Sequence, residues 1–283
     1  MTVTILLTTW NSSLYLAELL DSIISQTYTD WELCVRDDGS TDDTRDILRR
    51  YADRDARIRV MELSGKMGPK EGFMWLLAQA GASDASAEAD AHRLYMFCDH
   101  DDVWLPEKVA DCVKAMSEQP DRQQTPLLVG TDLRVVDARL HPIAESFWAQ
   151  QHYALSLCND KYFHLVYNNI PGCTMLFNEA ARRASLPCPP GAQMHDSWLA
   201  ACVLWNGGRI LPLTKPSILY RQHQANVLGS KAVPSYLSQL RRFPVLWRKT
   251  RDEWRAVRDL ARMGFLRFFM IKMYYMARLH LKL

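Results

Sequence analysis

Cysteines and long apolar runs are both scarce in this sequence, and each scarcity excludes a class of protein. The seven cysteines among 283 residues are odd in number, widely spread and never in CxxC spacing, which argues against a disulfide framework or a zinc site. No window holds the roughly 18 uninterrupted apolar residues of a membrane-spanning helix. The first residues, MTVTILLTTWNSS, have neither the basic region nor the apolar run of a secretory signal. We therefore expect reduced core thiols and a cytosolic protein.

Apolar β-rich runs alternate with helical patterns along the chain. Strands are predicted at residues 3–8, 32–36, 58–62, 94–98, 127–136, 175–177 and 209–213. Helices are predicted at residues 14–25, from 42 or 43 to about 51, at 71–80, after Pro106, and at 196–205, and the small polar residues 80–91 predict a surface loop. Strands separated by helices form mostly parallel sheets. The fold class is therefore α/β, with a Rossmann-like, doubly wound N-terminal half.

The first acidic segment is Asp37-Asp38-Gly39-Ser40-Thr41-Asp42, directly after the second predicted strand. Ligands of open α/β sheets bind beyond the carboxyl ends of the strands. A carboxylate there can accept the imide N–H of a pyrimidine base, and Gly39 permits close backbone approach. A turn followed by a helix cap has the same composition, so the segment alone leaves both interpretations open.

The second acidic segment is Asp99-His100-Asp101-Asp102, after the apolar strand at residues 94–98. Three carboxylates this close repel one another, and a cation that neutralises them favours such a concentration. A hard divalent ion held there could bridge the oxygens of a diphosphate. The alternative is an acidic loop that caps the helix after Pro106.

Two shorter polar clusters occur farther along the chain. His195-Asp196 precedes an apolar helical pattern, where Asp196 could act as a general base or as a helix N-cap. Tyr220-Arg221-Gln222-His223 follows a predicted strand and supplies a cation and an imidazole. Taken alone, these residues are typical of a polar surface.

Five segments carry these clusters in a fixed order: TTWNSSLYLAELLDSIISQTYTDWELCVRDDGSTDDT (8–44), CDHDDVWLPEKV (98–109), NNIPGCTMLFN (168–178), HDSWLAACVLWNGGRI (195–210) and YRQHQANVLG (220–229). Together they resemble the family 2 glycosyltransferases of the GT-A fold, and most closely the rhamnosyltransferase-like branch. The resemblance covers residues 1 to about 230. It implies an α/β catalytic domain over 1–230 that uses a nucleoside diphosphate sugar as donor.

The resemblance also implies roles for individual residues. Thr8, Asp37 and Asp38 are expected beside the nucleotide, and Asp196 matches the catalytic base. Asp99 and Asp101 match the DXD metal motif, with Asp99 also near the donor. Arg221 and His223 fall near the diphosphate, and His223 is counted with Asp99 and Asp101 as a candidate ligand of Mg²⁺ or Mn²⁺. One departure is Gly72-Phe73, where the family often has Asn-Phe.

A metal-dependent transfer that inverts the anomeric centre follows from these roles. A cation on Asp99 and Asp101 would stabilise the leaving diphosphate, and Asp196 would take the acceptor's proton. On branch resemblance we expect dTDP-rhamnose as donor first and a UDP-hexose second, with a saccharide or lipid-linked saccharide as acceptor. The alternative function is a catalytically inactive sugar-nucleotide-binding scaffold of a polysaccharide assembly complex.

The last segment, residues 231–283, differs from the rest in charge. Residues 241–283 contain 12 Lys/Arg and 3 Asp/Glu, a net charge of +9, which leaves −7 on residues 1–240. Basic residues interleave with aromatic residues and Met, which predicts amphipathic helices that lie on the inner face of a membrane. Charges interrupt every apolar run, so spanning is not expected. The alternative is packing on the catalytic part or on a second copy of the chain; no motif indicates nucleic-acid binding.

Overall fold

The computed structural model describes residues 1–61, 65–80, 92–223 and 243–281. Its α-helices are α1 (Leu16–Ile24), α2 (Thr44–Ala52), α3 (Pro69–Ala80), α4 (Lys108–Ser117), α5 (Phe147–Gln150), α6 (Glu179–Ser185), α7 (His195–Trp205), α8 (Phe243–Ala261) and α9 (Phe265–Leu281). Short 3₁₀ turns lie at Leu155–Leu157, Phe163–Leu165 and Gly172–Thr174. Most of the predicted 80–91 loop and the predicted boundary at residue 230 fall outside the described residues.

One mixed sheet organises the chain. Its strands are β1 (Val3–Thr9), β2 (Trp31–Asp37), β3 (Ile58–Met61), β4 (Leu94–Cys98), β5 (Val103–Trp104), β6 (Leu127–Val136), β7 (Pro142–Ala144), β8 (Met175–Asn178) and β9 (Arg209–Arg221). The order is β3-β2-β1-β4-β8-β6-β9-β5, with β7 paired to β6. Strands β1 to β4 pair in parallel, whereas β8 is antiparallel to both β4 and β6. The predicted mostly parallel α/β sheet is confirmed.

The parallel half follows directly from apolar patterning. Strand β1 (VTILLTT) and strand β4 (LYMFC) are buried on both faces, as expected for strands covered by helices on each side. Helix α1 presents Leu16, Leu19 and Ile23 to the core at helical spacing. Burying each such side chain contributes about 1.5–3 kcal/mol to the stability of the fold. This packing fixes the strands and therefore the positions of the loops that follow them.

The second half of the sheet differs from its prediction. The strand predicted at residues 209–213 continues to Arg221, because β9 pairs with β6 on both sides of a register shift near Asp132. Proline at a bulge or irregularity is compatible with a strand, so Pro216 does not end β9. The extension matters because it carries Arg221 to the acidic residues 99–102.

The basic tail packs on the rest of the molecule. Val257 of α8 and Phe268 and Tyr275 of α9 are buried in one core cluster with residues of α7. Tyr275 Oη donates a hydrogen bond to Asp160, and Lys272 pairs with the buried Glu253. For residues 243–281, packing on the catalytic part is therefore what the structure shows. Among the described helices, none has the length and apolar character needed to cross a bilayer.

Candidate active site

The predicted acidic segments meet at one edge of the sheet. Strands β2 and β4 flank β1 in parallel, with Leu7 of β1 beside Cys98 of β4. Residues 37–42 follow β2 and residues 99–102 follow β4, so both segments lie at carboxyl ends of neighbouring strands. This is the edge where ligands of open α/β sheets bind.

Asp38, a predicted nucleotide contact, is buried under the loop after β3. Its Oδ1 accepts hydrogen bonds from Arg36 and from the Met67 N–H (2.7 Å), and its Oδ2 accepts one from the Gly68 N–H (2.8 Å). Burial acts to raise the pKa of Asp38, but these donors outweigh it and hold the pKa below its usual value. A carboxylate has about four acceptor positions, so the described contacts leave about one on Oδ2.

Asp37 is more fully engaged than Asp38. Its Oδ1 accepts hydrogen bonds from Thr9 Oγ1 (3.0 Å) and Ser40 Oγ, and its Oδ2 accepts them from the Ser40 N–H (3.0 Å) and Arg45 Nε (2.8 Å). Despite burial, which raises it, the pKa of Asp37 is lowered by these bonds. The contacts occupy the acceptor positions of the carboxylate. Asp37 therefore shapes the turn at Gly39, whose φ is +86°; its contact with a nucleotide stays a prediction.

Thr8 lies at the end of β1 under the first turn of α3. A Cβ built on Gly72 would lie 3.1 Å from Thr8 Cγ2, which is closer than ordinary van der Waals contact. The glycine therefore lets α3 approach the strand. This packing gives a physical reason for Gly72 at a position where the resembling family often has Asn.

A second group of acidic side chains surrounds Cys173. Donor atoms of Asp99, Asp102 and Cys173 all lie within 4.8 Å of one another. Asp102 is fully buried, and its Oδ2 has no hydrogen-bond partner among the described residues. Burial, followed by the charges of Asp101 and Asp196, raises the pKa of Asp99 to about 7. Burial, with Asp101 and Asp99 next, also raises the pKa of Asp102 well above its usual value.

These raised pKa values mean that the group favours a proton or a cation over bare negative charge. Carboxylate oxygens suit Mg²⁺ and Mn²⁺, while the thiol is a softer donor. The unsatisfied Asp102 Oδ2 gives the group an oxygen that a cation would saturate. The residues present therefore fit a divalent cation.

His223 lies beside this group in contact with Asp101. The His223 Nε2 and Asp101 Oδ2 atoms are 2.8 Å apart, and the imidazole packs on Tyr15 with ring centroids 5.0 Å apart. A histidine bonded to a carboxylate can orient that carboxylate toward a cation. The structure thus places His223 against Asp101, whereas the donor atoms that lie within 4.8 Å of one another are those of Asp99, Asp102 and Cys173. That Asp101 and His223 bind the cation stays a prediction.

Arg221, predicted near the diphosphate, is 2% exposed. Its guanidinium donates to the carbonyls of Asp101 and Ala138 (both 2.8 Å) and pairs with Glu18, and its N–H donates to Asp102 Oδ1 (3.2 Å). These contacts hold the acidic loop against β9. Direct contact between Arg221 and a diphosphate stays a prediction.

Asp196 is the second residue of α7, and Met194 occupies the N-cap position. Asp196 is therefore not the N-cap, although its Oδ1 accepts hydrogen bonds from the Ser197 N–H (2.6 Å) and Oγ (3.3 Å). Its charge contributes to the raised pKa of Asp99, so the two carboxylates are neighbours. Asp196 therefore lies near Asp99, and its role as the base stays a prediction.

His195, next to Asp196, points away from solvent. Its ring lies between Phe73 (centroids 4.2 Å apart) and Phe97 (4.6 Å), and burial lowers its pKa to about 4 despite the opposing charge of Asp196. A Cβ on Gly172 would lie 2.7 Å from His195 Nε2, so Gly172 makes room for the ring. His195 is therefore a neutral, buried ring that packs against Phe73 and Phe97 next to Asp196.

Two residues at the site were not assigned a role from the sequence. Cys173 falls in the segment NNIPGCTMLFN, but its position beside Asp99 depends on the antiparallel insertion of β8. Lys108 is buried, and its Nζ lies 4.7 Å from the centre of the Trp104 ring. Burial lowers the pKa of Lys108, against the charges of nearby thiols and Asp102. A lysine in a WLPEK segment is usually exposed, so no sequence signal singled it out.

Comparisons with known proteins bear on the family and the fold of the chain. The profile of the family Glycosyl transferase family 2 matches residues 4–184. A Bacillus subtilis protein named as a teichuronic acid biosynthesis glycosyltransferase, TuaG, is 24% identical over 267 residues, which span 94% of this chain and 90% of that protein. The Escherichia coli UDP-Glc:alpha-D-GlcNAc-diphosphoundecaprenol beta-1,3-glucosyltransferase WfgD is 29% identical over 107 residues, 38% of each chain.

Solved structures show a similar fold. Residues 1–349 of Staphylococcus aureus TarS, in complex with UDP-GlcNAc, superpose with a TM-score of 0.61 and 18% identity, covering 98% of this chain and 72% of that TarS fragment. The mannosyltransferase PcManGT of Pyrobaculum calidifontis, in complex with GDP-Man and Mn²⁺, gives a TM-score of 0.58 and 20% identity, covering 99% of this chain and 70% of PcManGT. At these identities the similarity concerns the fold.

Proposed function

The chain belongs to glycosyl transferase family 2 and is a glycosyltransferase of the GT-A fold, and we propose that it moves a sugar from a nucleoside diphosphate to a hydroxyl group with the help of a divalent cation. The observation that carries this proposal is the convergence of Asp99, Asp102 and Cys173 next to Asp101 and Asp196 at the carboxyl edge of the sheet. Carboxylates this close to one another repel when they are ionised, and a bound cation would neutralise that charge.

The acidic group would hold the cation through Asp99 and Asp102, with Asp101 and its partner His223 beside them. When bound, a divalent cation stabilises the negative charge that develops on a leaving diphosphate. Arg221 keeps the loop of Asp101 and Asp102 in place through two hydrogen bonds. Mn²⁺ in the PcManGT complex supports this assignment by similarity of fold.

Asp196 is the proposed general base. Its described hydrogen bonds fall on Oδ1, so Oδ2 is the atom that would take the acceptor's hydroxyl proton. The Ser197 N–H fixes the orientation of the carboxylate. Attack by the hydroxyl from the side opposite the diphosphate inverts the anomeric centre in a single displacement.

For the donor we propose a pyrimidine nucleotide, with dTDP-rhamnose first and a UDP-hexose second. The free acceptor position on Asp38 Oδ2 suits the imide N–H shared by thymine and uracil. The UDP-GlcNAc complex of TarS supports the uracil alternative by fold. For the acceptor we propose a saccharide or a lipid-linked saccharide of a cell-surface polysaccharide, as the names of TuaG and WfgD suggest.

A screen of nucleotide sugars tests the proposal. Donor hydrolysis is measured with Mg²⁺, with Mn²⁺ and with EDTA, for dTDP-, UDP- and GDP-sugars in parallel. We expect cation-dependent release of dTDP or UDP. Binding of a nucleotide sugar without hydrolysis or transfer under any condition would favour the inactive scaffold, and preference for GDP-sugars would contradict the assignment of the base.

The exposed face of α9 supports a peripheral position on the cytoplasmic face of a membrane. Leu266, Met270 and Tyr274 are 67%, 58% and 58% exposed and lie at i, i+4 and i+8 on one side of the helix. Arg262 and Arg267 are exposed beside them. Apolar side chains flanked by cations suit an anionic lipid surface.

Sedimentation with anionic and neutral vesicles tests this surface without removing the tail, because the tail contributes to the core. Replacing Leu266, Met270 and Tyr274 by Ser should reduce binding to anionic vesicles by about tenfold or more, since each side chain would lose apolar burial. Ile143→Ser with Leu155→Ser, two exposed apolar residues elsewhere, is the matched control. Equal partitioning of both variants and wild type would remove this membrane contact.

A further inference from the structure

The loop at residues 186–194 connects α6 to α7, the helix whose second residue is Asp196. All residues of this loop are described, and they form neither helix nor strand, so contacts with other elements set its course. Asp196 follows the last loop residue by only two positions. The contacts that hold the loop therefore also set where α7 begins and where the carboxylate of the proposed base lies.

Lys70, the second residue of α3, is a side chain that holds this loop. Its Nζ donates hydrogen bonds to the carbonyl oxygens of Pro190 (2.7 Å) and Ala192 (3.1 Å). The same Nζ lies 3.0 Å from Glu71 Oε1, and the Lys70 side chain is 14% exposed. An ammonium group has three N–H donors, so these contacts engage all three. Hydrogen bonds from a charged donor are about twice as strong as neutral ones.

The loop contacts the tail as well as α3. A Cβ built on Gly191 would lie 3.4 Å from both the Ala256 Cβ and the Asp252 carbonyl oxygen of α8, and Ala192 is buried. The loop is therefore packed against α8 through small groups, while Lys70 of α3 binds two of its carbonyls.

The first turn of α3 also contacts the nucleotide side of the proposed site. The Gly68 N–H donates a hydrogen bond to Asp38 Oδ2 (2.8 Å), and the Gly68 carbonyl accepts one from the Gly72 N–H of α3 (2.9 Å). Lys70 lies between these two glycines in sequence. The turn that contacts Asp38 is thus the turn whose lysine binds the loop before α7.

One turn farther along α3, a ring contact reaches the first residue of α7. The Phe73 ring packs on the buried His195 ring, with the centroids 4.2 Å apart. His195 directly precedes Asp196 in the chain. Helix α3 therefore contacts both the loop, through Lys70, and the first residue of α7, through Phe73.

We propose that Lys70 is a positioning residue for glycosyl transfer, because it ties the loop before α7 to α3 and so fixes Asp196 relative to the nucleotide. This inference rests on the proposed function, in which Asp196 takes the proton of the attacking hydroxyl. A general base must lie within about 2.6–3.2 Å of the oxygen that loses the proton. A displacement of about 1 Å can lower the rate by about 10²-fold, so a group that fixes the base affects the rate without touching the substrate.

Kinetics of donor hydrolysis test the proposal on the full chain in Mn²⁺, with water as the acceptor. The donor is whichever of dTDP-rhamnose, UDP-glucose and UDP-N-acetylglucosamine the wild type hydrolyses fastest. Lys70→Met keeps an unbranched side chain and removes the ammonium group, and it should lower kcat by about 10- to 100-fold. The Kd of UDP, measured by calorimetry, should change by less than about threefold, because the substitution acts on the base.

Two further variants serve as controls for this substitution. Lys70→Arg should recover most of the lost kcat, because a guanidinium group can still donate to both loop carbonyls. Lys114→Met makes the same change at an exposed lysine of α4 and should leave both kcat and the Kd of UDP unchanged. Wild-type kcat in Lys70→Met would overturn the proposal. A large increase in the Kd of UDP would also overturn it and would make Lys70 a ligand of the nucleotide.

A double variant separates positioning from general damage to the fold. When Asp196 is already replaced by Asn, Lys70→Met should lower kcat by no more than about twofold, because residues that act as a unit are not additive. A further loss as large as that of Lys70→Met alone would show that Lys70 acts independently of Asp196, and it would overturn the proposal.

Hydrogen exchange measures the hold on the loop without using activity. Backbone N–H groups of residues 191–198 should exchange about tenfold faster in Lys70→Met than in the wild type, since local opening becomes easier. Those of β1 and β4 should not change. Equal exchange at residues 191–198 in both proteins would overturn the role of Lys70 even if the wild type hydrolyses a donor normally. Absence of hydrolysis in the wild type would instead overturn the proposed function.

Discussion

Two acidic segments lie beside each other at the carboxyl edge of the sheet, residues 37–42 after β2 and residues 99–102 after β4. In the first, serine, threonine and arginine side chains and backbone N–H groups surround the carboxylates, and the pKa values of Asp37 and Asp38 are lowered although burial opposes this. In the second, burial and neighbouring carboxylates raise the pKa values of Asp99 and Asp102.

The two segments have similar compositions. Their pKa values differ because different numbers of hydrogen-bond donors contact the carboxylates. Asp38 receives three described hydrogen bonds, one of them from the fully buried Arg36. Asp102 receives one backbone hydrogen bond, from the Arg221 N–H, and its remaining neighbours are the Cys173 thiol and the carboxylates of Asp99 and Asp101. A satisfied carboxylate organises a loop, whereas an unsatisfied cluster attracts a cation.

Removing the cation or a carboxylate of the second segment should have the largest effect. EDTA, or Asp99→Asn, should lower donor hydrolysis by about 10⁴-fold, because a bound cation stabilises the leaving group by several kcal/mol. Calorimetry with Mn²⁺ should show weakened binding in the variant. Asp42→Asn, whose side-chain oxygen can still accept the hydrogen bond from the Thr44 N–H, is the control in the first segment and should retain activity; full activity of Asp99→Asn would refute the assignment.

Asp196 interacts electrostatically with the second segment, because its charge helps to raise the pKa of Asp99. Asp196→Asn should lower kcat by about 10²- to 10⁴-fold through loss of the base, with little change in nucleotide affinity. Steady-state kinetics and calorimetry with UDP measure the two quantities separately. Wild-type turnover in this variant would leave Asp196 with only its hydrogen bonds to Ser197.

The same substitution in each segment compares a carboxylate paired with a buried arginine and a carboxyl group that favours its neutral form. Asp38→Asn leaves the buried Arg36 without its charged partner and should lower the free energy of unfolding by about 3–5 kcal/mol. Asp102→Asn replaces a carboxyl group that favours its neutral form, so its cost should stay near the average of about 1 kcal/mol for a substitution. Urea unfolding in EDTA measures both. Equal losses would abolish the contrast between the segments.

The pH dependence of stability should have opposite signs for the two segments. The pKa of Asp42 is lowered to about 2, with burial opposing the hydrogen bonds from Thr44 and Ser13, so the first segment stabilises the fold above about pH 4 and this stability is lost as pH falls toward 2. Asp99 has a folded pKa of about 7, so the cation-free protein should lose stability as pH rises from about 4 to 7.

A cation replaces the proton on the second segment. The increase in Tm on adding Mn²⁺ should therefore be a few degrees larger at pH 8 than at pH 5, measured by calorimetric scans. An increase that does not depend on pH would mean that Asp99 is already ionised without the cation.

Much of this arrangement was predictable from the sequence. Apolar runs separated by amphipathic patterns predicted seven of the nine described strands and most helices, because burial on both faces or on one face imposes those periods. The short strands β5 and β7 were missed. The acidic residues after β2 and β4 were placed at one edge because parallel strands end together. The boundary of β9 was missed, since pairing with β6 outweighs the local effect of Pro216.

Side-chain partners were not predictable in the same way. Cys173 lies beside Asp99 because β8 inserts antiparallel between β4 and β6. The Arg221 guanidinium donates hydrogen bonds to the carbonyls of Ala138 and Asp101, which are 83 and 120 residues away in sequence. The tail was predicted from its charge, but its packing on α7 depends on the shapes of the two surfaces.

The sequence by itself determined the period of each element, the family and the edge at which charge collects, because these depend on local pattern and on the order of strands. Only the tertiary structure decided which carboxylates are satisfied by hydrogen bonds and which are left for a cation. The physical reason is that hydrogen bonding and desolvation depend on donors distant in the chain, such as Arg36 for Asp38 and the Arg221 N–H for Asp102.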